Sequence, residues 1–162
     1  NCKSDYVVTT IHRQENTDNE EKLRSIFSNL DIINREIKVI LPLHPRTKGQ
    51  LSRFNIKTNI ECIEPLGYLS MLSLIKSAEM VITDSGGLQK EAFFAKKKCI
   101  TVRKETEWME LIDIEVNHLS DPDDLFDNFE SMRKNDCNFP KGLYGDGNAS
   151  KIILDSIIEY FD

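Results

Sequence analysis

The sequence predicts a doubly wound, Rossmann-like parallel α/β sheet with helices on both faces. Six short apolar or β-branched runs alternate with segments whose apolar residues recur at helical spacing. One run, MVIT at 80–83, is apolar or β-branched at every position, as in a strand covered on both faces. The 162 residues suit one domain spanning 1–162. No repeat, low-complexity tract or linker divides them.

Residues 6–11 (YVVTTI) form the first expected strand. After a polar loop, Leu23, Ile26, Phe27, Leu30 and Ile33 share one helical face. Thr17 or Asp18 is placed to cap that helix, with Glu20 and Glu21 where the helix dipole favours acids. Strand 37–43 (IKVILPL) leads to a helix over about 46–54, and strand 60–63 to a helix from Tyr68 with Leu69, Leu72, Ile75 and Ala78 on one face. Strand 80–83 precedes a helix at 88–95, and strand 99–102 a short helical piece at 108–112. The last strand, 116–119, is followed by Asp121-Pro122, a good helix start, and a helix to about Lys134. Residues 149–161 are amphipathic, and the loop at 138–148 is the longest connection.

Hydrophobic residues at 40% and charged residues at 30% indicate a folded globular chain rather than a disordered one. A formal charge of -6 argues against a general nucleic-acid binder, leaving local anion sites built from backbone amides. Lys96, Lys97 and Lys98 read as the solvated end of a helix. Cys2, Cys62, Cys99 and Cys137 show no metal-ligand spacing; Cys62 and Cys99 lie in strand-like runs, so buried free thiols and a reducing cytoplasm are expected. No run approaches the roughly 20 apolar residues of a membrane span, and a protein without a signal peptide is expected.

Ligands of open α/β sheets bind at strand carboxyl ends, which singles out the loops after Ile11, Leu43, Ile63, Thr83 and Val102. Asp84-Ser85-Gly86-Gly87 follows a strand and opens a helix. Two glycines let a ligand approach the backbone, free amides at the helix start suit a diphosphate, and Ser85 adds a hydroxyl. Glu91, one turn on, can accept hydrogen bonds from a ribose diol. By itself the motif is equally compatible with a tight turn followed by a surface glutamate.

Six segments in order give the pattern its specificity: HRQEN (12–16), HPRT (44–47), EPLGYLSML (64–72), DSGGLQKEA (84–92), RKETEW (103–108) and YGDGNAS (144–150). Together they resemble the non-hydrolysing UDP-N-acetylglucosamine 2-epimerases over nearly the whole chain. The resemblance implies the C-terminal half of a two-domain, glycosyltransferase-B type enzyme, a homodimer when complete, with the active site between its halves. It implies inversion at carbon 2 of a UDP-sugar by elimination and return of UDP, with no cofactor and no metal.

Carried over by position, Ser85, Gly86 and Gly87 fall on diphosphate-binding residues and Glu91 on the ribose ligand. Met71 falls beside the uracil, with Tyr68 nearby, and His12 on the histidine of the catalytic cleft. Arg13 and His44 match positions that contact an activating second UDP-sugar in some members. The carboxylates acting at carbon 2 belong to the N-terminal half, so the chain alone is expected to be inactive. Where many members carry TTERPE, this chain has Glu105-Thr106-Glu107-Trp108-Met109-Glu110, closer to the branch with epimerases of UDP-2,3-diacetamido-glucuronic acid. Trp108 is expected simply to pack the short helix. The competing readings are the donor half of a glycosyltransferase and a non-catalytic UDP-sugar-binding module.

Overall fold

The computed structural model describes residues 6–161; Cys2 lies outside them. Six strands are joined through helices: β1 (Tyr6–Thr10), α1 (Gln14–Thr17), α2 (Glu20–Glu36), β2 (Lys38–Pro42), α3 (Pro45–Arg53), β3 (Glu61–Ile63) and α4 (Tyr68–Ser77) come first. Then come β4 (Met80–Thr83), α5 (Gly86–Phe94), β5 (Lys98–Thr101), α6 (Met109–Asp113), β6 (Asn117–Leu119), α7 (Leu125–Lys134) and α8 (Ala149–Phe161). The sheet order is β3-β2-β1-β4-β5-β6 and every pairing is parallel. The order reverses between β1 and β4, so the loops after these two strands flank the switch point where such sheets hold ligands.

Alternation along each strand feeds two cores. Val7, Val39, Met80, Ile82 and Ile100 pack against Leu23, Ile26, Phe27 and Leu30 of α2 and Phe129 of α7. Val8, Val81 and Cys99 face the other way, against Ile75 of α4 and Ala92 of α5. The small side chains of Ala78, Ala92 and Cys99 at 0%, 0% and 1% exposure bring the second layer close to the sheet. Both faces being covered, the strands need apolar residues at successive positions, as the sequence has.

Several expectations change. The polar stretch after β1 contains the short helix α1, and α2 is capped by Asn19, whose side chain accepts from the Lys22 amide at 3.0 Å. Thr17 instead donates to the Arg13 carbonyl at 3.0 Å, and Asp18 accepts from Arg46 and Gln50, each at 2.9 Å. Those bonds tie α1 to α3. Asp121-Pro122 opens a 3-10 turn, Pro122–Asp124, ahead of α7.

On α4 the buried line runs through Ile75 to Ala78, whereas Leu69 is 80% exposed. Cys62 is exposed because β3 is an edge strand; Cys99, in the sheet interior, is buried and its thiol is pushed up to about 12 by burial. Of the three lysines, only Lys96 and Lys97 close α5. Lys96 takes a left-handed φ of 56°, and the Lys97 amide donates back to the Ala92 carbonyl at 2.8 Å. Lys98 belongs to β5, and its ammonium donates to the Met132 carbonyl at 2.7 Å and to that of Asn135, capping the end of α7.

Phe27 is fully buried against the sheet. Phe27→Ala should cost about 3–5 kcal/mol in urea unfolding, while Leu69→Ala should stay within about 0.5 kcal/mol. Equal losses in the two variants would contradict this core assignment.

Candidate functional site

The site is organised by Asp84, a carboxylate with 0% exposure directly after β4. The His12 amide donates to its two oxygens at 3.1 and 3.0 Å, the Arg13 amide to Oδ2 at 2.9 Å, and Asn16 Nδ2 to Oδ2 at 3.2 Å. Asn16 also donates to the Val102 carbonyl at 3.0 Å, so one buried amide connects the loops after β1, β4 and β5. His12 Nδ1 lies 3.3 Å from Asp84 Oδ1. That contact leaves Nε2 as the ring nitrogen available to a ligand. The sequence reading treated Asp84 as the start of a turn and missed Asn16; an acid at the switch point, facing a polar loop after the neighbouring strand, was the available signal.

Beneath this carboxylate, Thr10 and Thr83 share a buried hydroxyl contact of 2.6 Å, and Thr83 Oγ1 accepts from the Ser85 amide at 2.9 Å. The Ser85 amide is therefore committed inside the protein. Ser85 is the N-cap of α5 yet makes no side-chain capping bond, which leaves its hydroxyl free for a ligand. Gly86 and Gly87 occupy the first helical turn, where amides have no intrahelical acceptor. A Cβ on Gly86 would lie 3.4 Å from Glu107 Oε2 and 3.5 Å from Arg13 Nη2, whereas one on Gly87 would meet nothing within 4 Å. Gly86 is closely surrounded and Gly87 faces open space.

A cavity of about 200 Å³ opens beside this turn, lined among others by His12, His44, Leu66, Met71, Ser85 and Leu88. Four loops after β1, β2, β3 and β4 contribute to it. The His12 and His44 rings lie 5.6 Å apart between centroids. His44 also caps α3: its Nδ1 accepts from the Arg46 amide at 3.2 Å, so neutral His44 carries its proton on Nε2. The cavity brings together His12, His44, Met71 and Ser85 but not every expected residue. Tyr68 is 64% exposed at the start of α4, and Glu91 lies beyond the cavity on α5, where burial raises its carboxyl above the ordinary range.

Arg13 points toward Gly86 and sits 4.0 Å from Glu107. Glu107 is gripped by Arg103, whose Nη1 approaches at 2.9 Å, and that hydrogen bond holds the glutamate below its ordinary pKa. Glu15 adds a second carboxylate 3.4 Å from Arg103 Nε. RKETEW thus wraps around the DSGG turn. Trp108 does more than pack α6: its indole N–H donates to the Gly86 carbonyl at 2.8 Å. Lys90 Nζ lies 4.2 Å from the Trp108 ring centroid and 4.1 Å from that of Tyr144, which brings YGDGNAS onto α5. No group of three or more His, Cys, Asp or Glu suited to a metal occurs among the described residues.

Comparison with known proteins bears on the chain as a whole. The family model described as UDP-N-acetylglucosamine 2-epimerase matches residues 1–158. A UDP-N-acetylglucosamine 2-epimerase of Methanococcus maripaludis is 40% identical over 162 residues, covering 94% of this chain and 44% of the relative. The UDP-2,3-diacetamido-2,3-dideoxy-D-glucuronate 2-epimerase of Pseudomonas aeruginosa is 40% identical over 153 residues, covering 93% and 43%. The Methanocaldococcus jannaschii UDP-GlcNAc 2-epimerase, solved in complex with UDP-GlcNAc and UDP, superposes with a TM-score of 0.86 at 38% identity, covering 97% of this chain and 46% of that one. The chain thus spans under half the length of these relatives. Its fold, the order of its loops and these matches agree: the chain belongs to the UDP-N-acetylglucosamine 2-epimerase family.

Proposed function

We propose that the chain is the UDP-holding half of an enzyme that interconverts UDP-N-acetylglucosamine and UDP-N-acetylmannosamine. The observation that carries this reading is the convergence of His12, Met71 and Ser85 on one cavity beside the free first-turn amides of α5. The diphosphate sits on Ser85, Gly86 and Gly87, where amide donors, the hydroxyl and the helix dipole favour negative charge. Uracil lies against Met71, with Tyr68 at the rim, and Glu91 accepts from the ribose diol. A diol donating to Glu91 stabilises its carboxylate and opposes the upward shift that burial imposes.

In the reaction, a base removes the proton at carbon 2 while the bond from carbon 1 to the UDP oxygen breaks, giving a glycal and free UDP. Protonation of carbon 2 on the opposite face and return of a terminal phosphate oxygen of UDP to carbon 1 give the epimer. His12, held through Nδ1 by Asp84, uses Nε2 to donate to the departing diphosphate. The groups acting at carbon 2 come from the remaining half of a longer protein. Arg13 and His44, at the cleft, are the residues through which a second UDP-sugar would act. The same reading makes the complete enzyme a cytoplasmic homodimer.

Helix α8 fits a partner half: Ile152, Ile153, Leu154, Ile157 and Ile158 are each at least half exposed. An apolar surface of that kind needs cover. The match to the P. aeruginosa relative at 40% identity favours one second reading, a UDP-2,3-diacetamido-glucuronic acid substrate. Incubating the full-length parent with each UDP-sugar in deuterated water separates the two, because the true substrate gains deuterium at carbon 2. Deuterium in neither would reject epimerisation.

The 162-residue chain alone should bind UDP with a dissociation constant of about 0.1–10 mM and show no turnover. In NMR titrations Ser85→Ala should weaken UDP and pyrophosphate alike, whereas Glu91→Ala should weaken UDP selectively. Equal losses for both ligands in the Glu91 variant would remove its ribose role. In the full-length parent, His12→Ala should lower kcat by about 10²–10⁴-fold with a much smaller change in UDP affinity; unchanged kcat would exclude His12 from the chemistry.

A further inference from the structure

Trp108 touches the DSGG turn at one atom that has consequences for the diphosphate. Its indole N–H donates to the Gly86 carbonyl at 2.8 Å. A peptide unit is planar and trans, so that carbonyl and the Gly87 amide belong to one rigid plate and point in opposite directions. Fixing the carbonyl of Gly86 therefore fixes the direction of the Gly87 N–H. Two successive glycines make this first helical turn of α5 weak in helix propensity, so a second donor on the Gly86 carbonyl adds to the hold of the helix on that plate. We propose that Trp108 is a positioning residue for diphosphate binding, locking the Gly86–Gly87 peptide plane so that the Gly87 amide faces the phosphate oxygens.

The proposal rests on the reading that the diphosphate binds at this turn. Three surrounding features favour a lock over incidental packing. The Trp108 amide donates to Thr106 Oγ1 at 3.1 Å, and Thr106 donates to the buried Gln89 at 2.6 Å, so the backbone that carries the indole is anchored to α5 itself. The ring is held on its faces and edge as well. Lys90 lies 4.2 Å from its centroid, and Tyr144 meets it edge-on with centroids 6.1 Å apart. Finally, Gly87 has no atom within 4 Å of where a Cβ would stand, so the outer side of the turn at this residue is uncrowded. Donation into the carbonyl also polarises the peptide and strengthens the opposite N–H as a donor. Trp108 itself need not touch the ligand.

The test uses the whole 162-residue chain with pyrophosphate, UDP and uridine as probes, read by amide shifts. Trp108→Phe keeps an aromatic ring beside Lys90 and Tyr144 and removes the N–H. Replacing Trp108 by 3-benzothienyl-alanine keeps nearly the full indole shape and removes the same donor. Both should weaken pyrophosphate and UDP by about 2- to 10-fold, the value of one hydrogen bond, and leave uridine unchanged. Trp108 is the chain's one tryptophan, so pyrophosphate should also alter intrinsic fluorescence in the unmodified protein. Unchanged pyrophosphate affinity in the benzothienyl protein, or a uridine loss as large as the pyrophosphate loss, would overturn the positioning role. If pyrophosphate leaves Ser85 to Gly87 unshifted in the unmodified chain, the diphosphate reading fails first and the lock with it.

Discussion

A single buried carboxylate has to be satisfied before any other feature of the site can exist. Moving an ion of that size out of water costs several kcal/mol even after relaxation, so Asp84 is stable where it is only because donors surround it. Two backbone amides, His12 and Arg13, and the Asn16 side chain supply them. Hydrogen bonds to a charged group contribute about 1.5–3 kcal/mol each, so three or four of them are of the size needed. The geometric consequence matters as much as the energy. Satisfying Asp84 requires the loop after β1 to fold against the turn after β4, which is what sets the His12 ring beside Ser85.

The sheet makes that encounter possible. β1 and β4 are neighbours in register, with Thr9 opposite Ile82 and Thr10 opposite Thr83, although 73 residues separate the two threonines whose hydroxyls meet at 2.6 Å. Parallel pairing puts both carboxyl ends on the same edge, and the reversal of strand order leaves no crossover helix between them. The apolar layers on both sides hold these strands rigid. A polar site built at their ends inherits that rigidity, whereas the same residues on a free loop would have to be ordered by the ligand at a cost in affinity.

Around this anchor the family-defining segments form concentric layers rather than a row of contacts to one ligand. HRQEN and DSGG meet at Asp84. RKETEW encloses DSGG through Glu107 beside Gly86 and Trp108 on its carbonyl, and Arg103 holds Glu107 in turn. Tyr144 then seats YGDGNAS against Trp108 and Lys90, with burial pushing its phenol well above the ordinary value. Arg103, Glu107, Trp108 and Tyr144 thus make their contacts within the protein, around the turn that faces the cavity.

The sequence by itself determined the alternation of strands and helices, because hydrophobic period is a local property and the two-sided burial of β1 and β4 writes it strongly. It also determined the family and the turn at Ser85 to Gly87, since those rest on contiguous residues in fixed order. It could not place Asn19 ahead of Thr17 and Asp18 as the α2 cap, because all three can cap and the choice was made by Arg46 and Gln50 on α3, which claim Asp18. Cys62 was exposed by the position of β3 at the sheet edge, which has no local signature, and Leu69 is exposed although it shares the helical spacing of buried Ile75. The roles of Asp84, Asn16 and Trp108 were likewise decided in three dimensions. Each acts on a partner at least 22 residues away, and such pairs become neighbours only once a parallel sheet has brought the ends of its strands to a common edge.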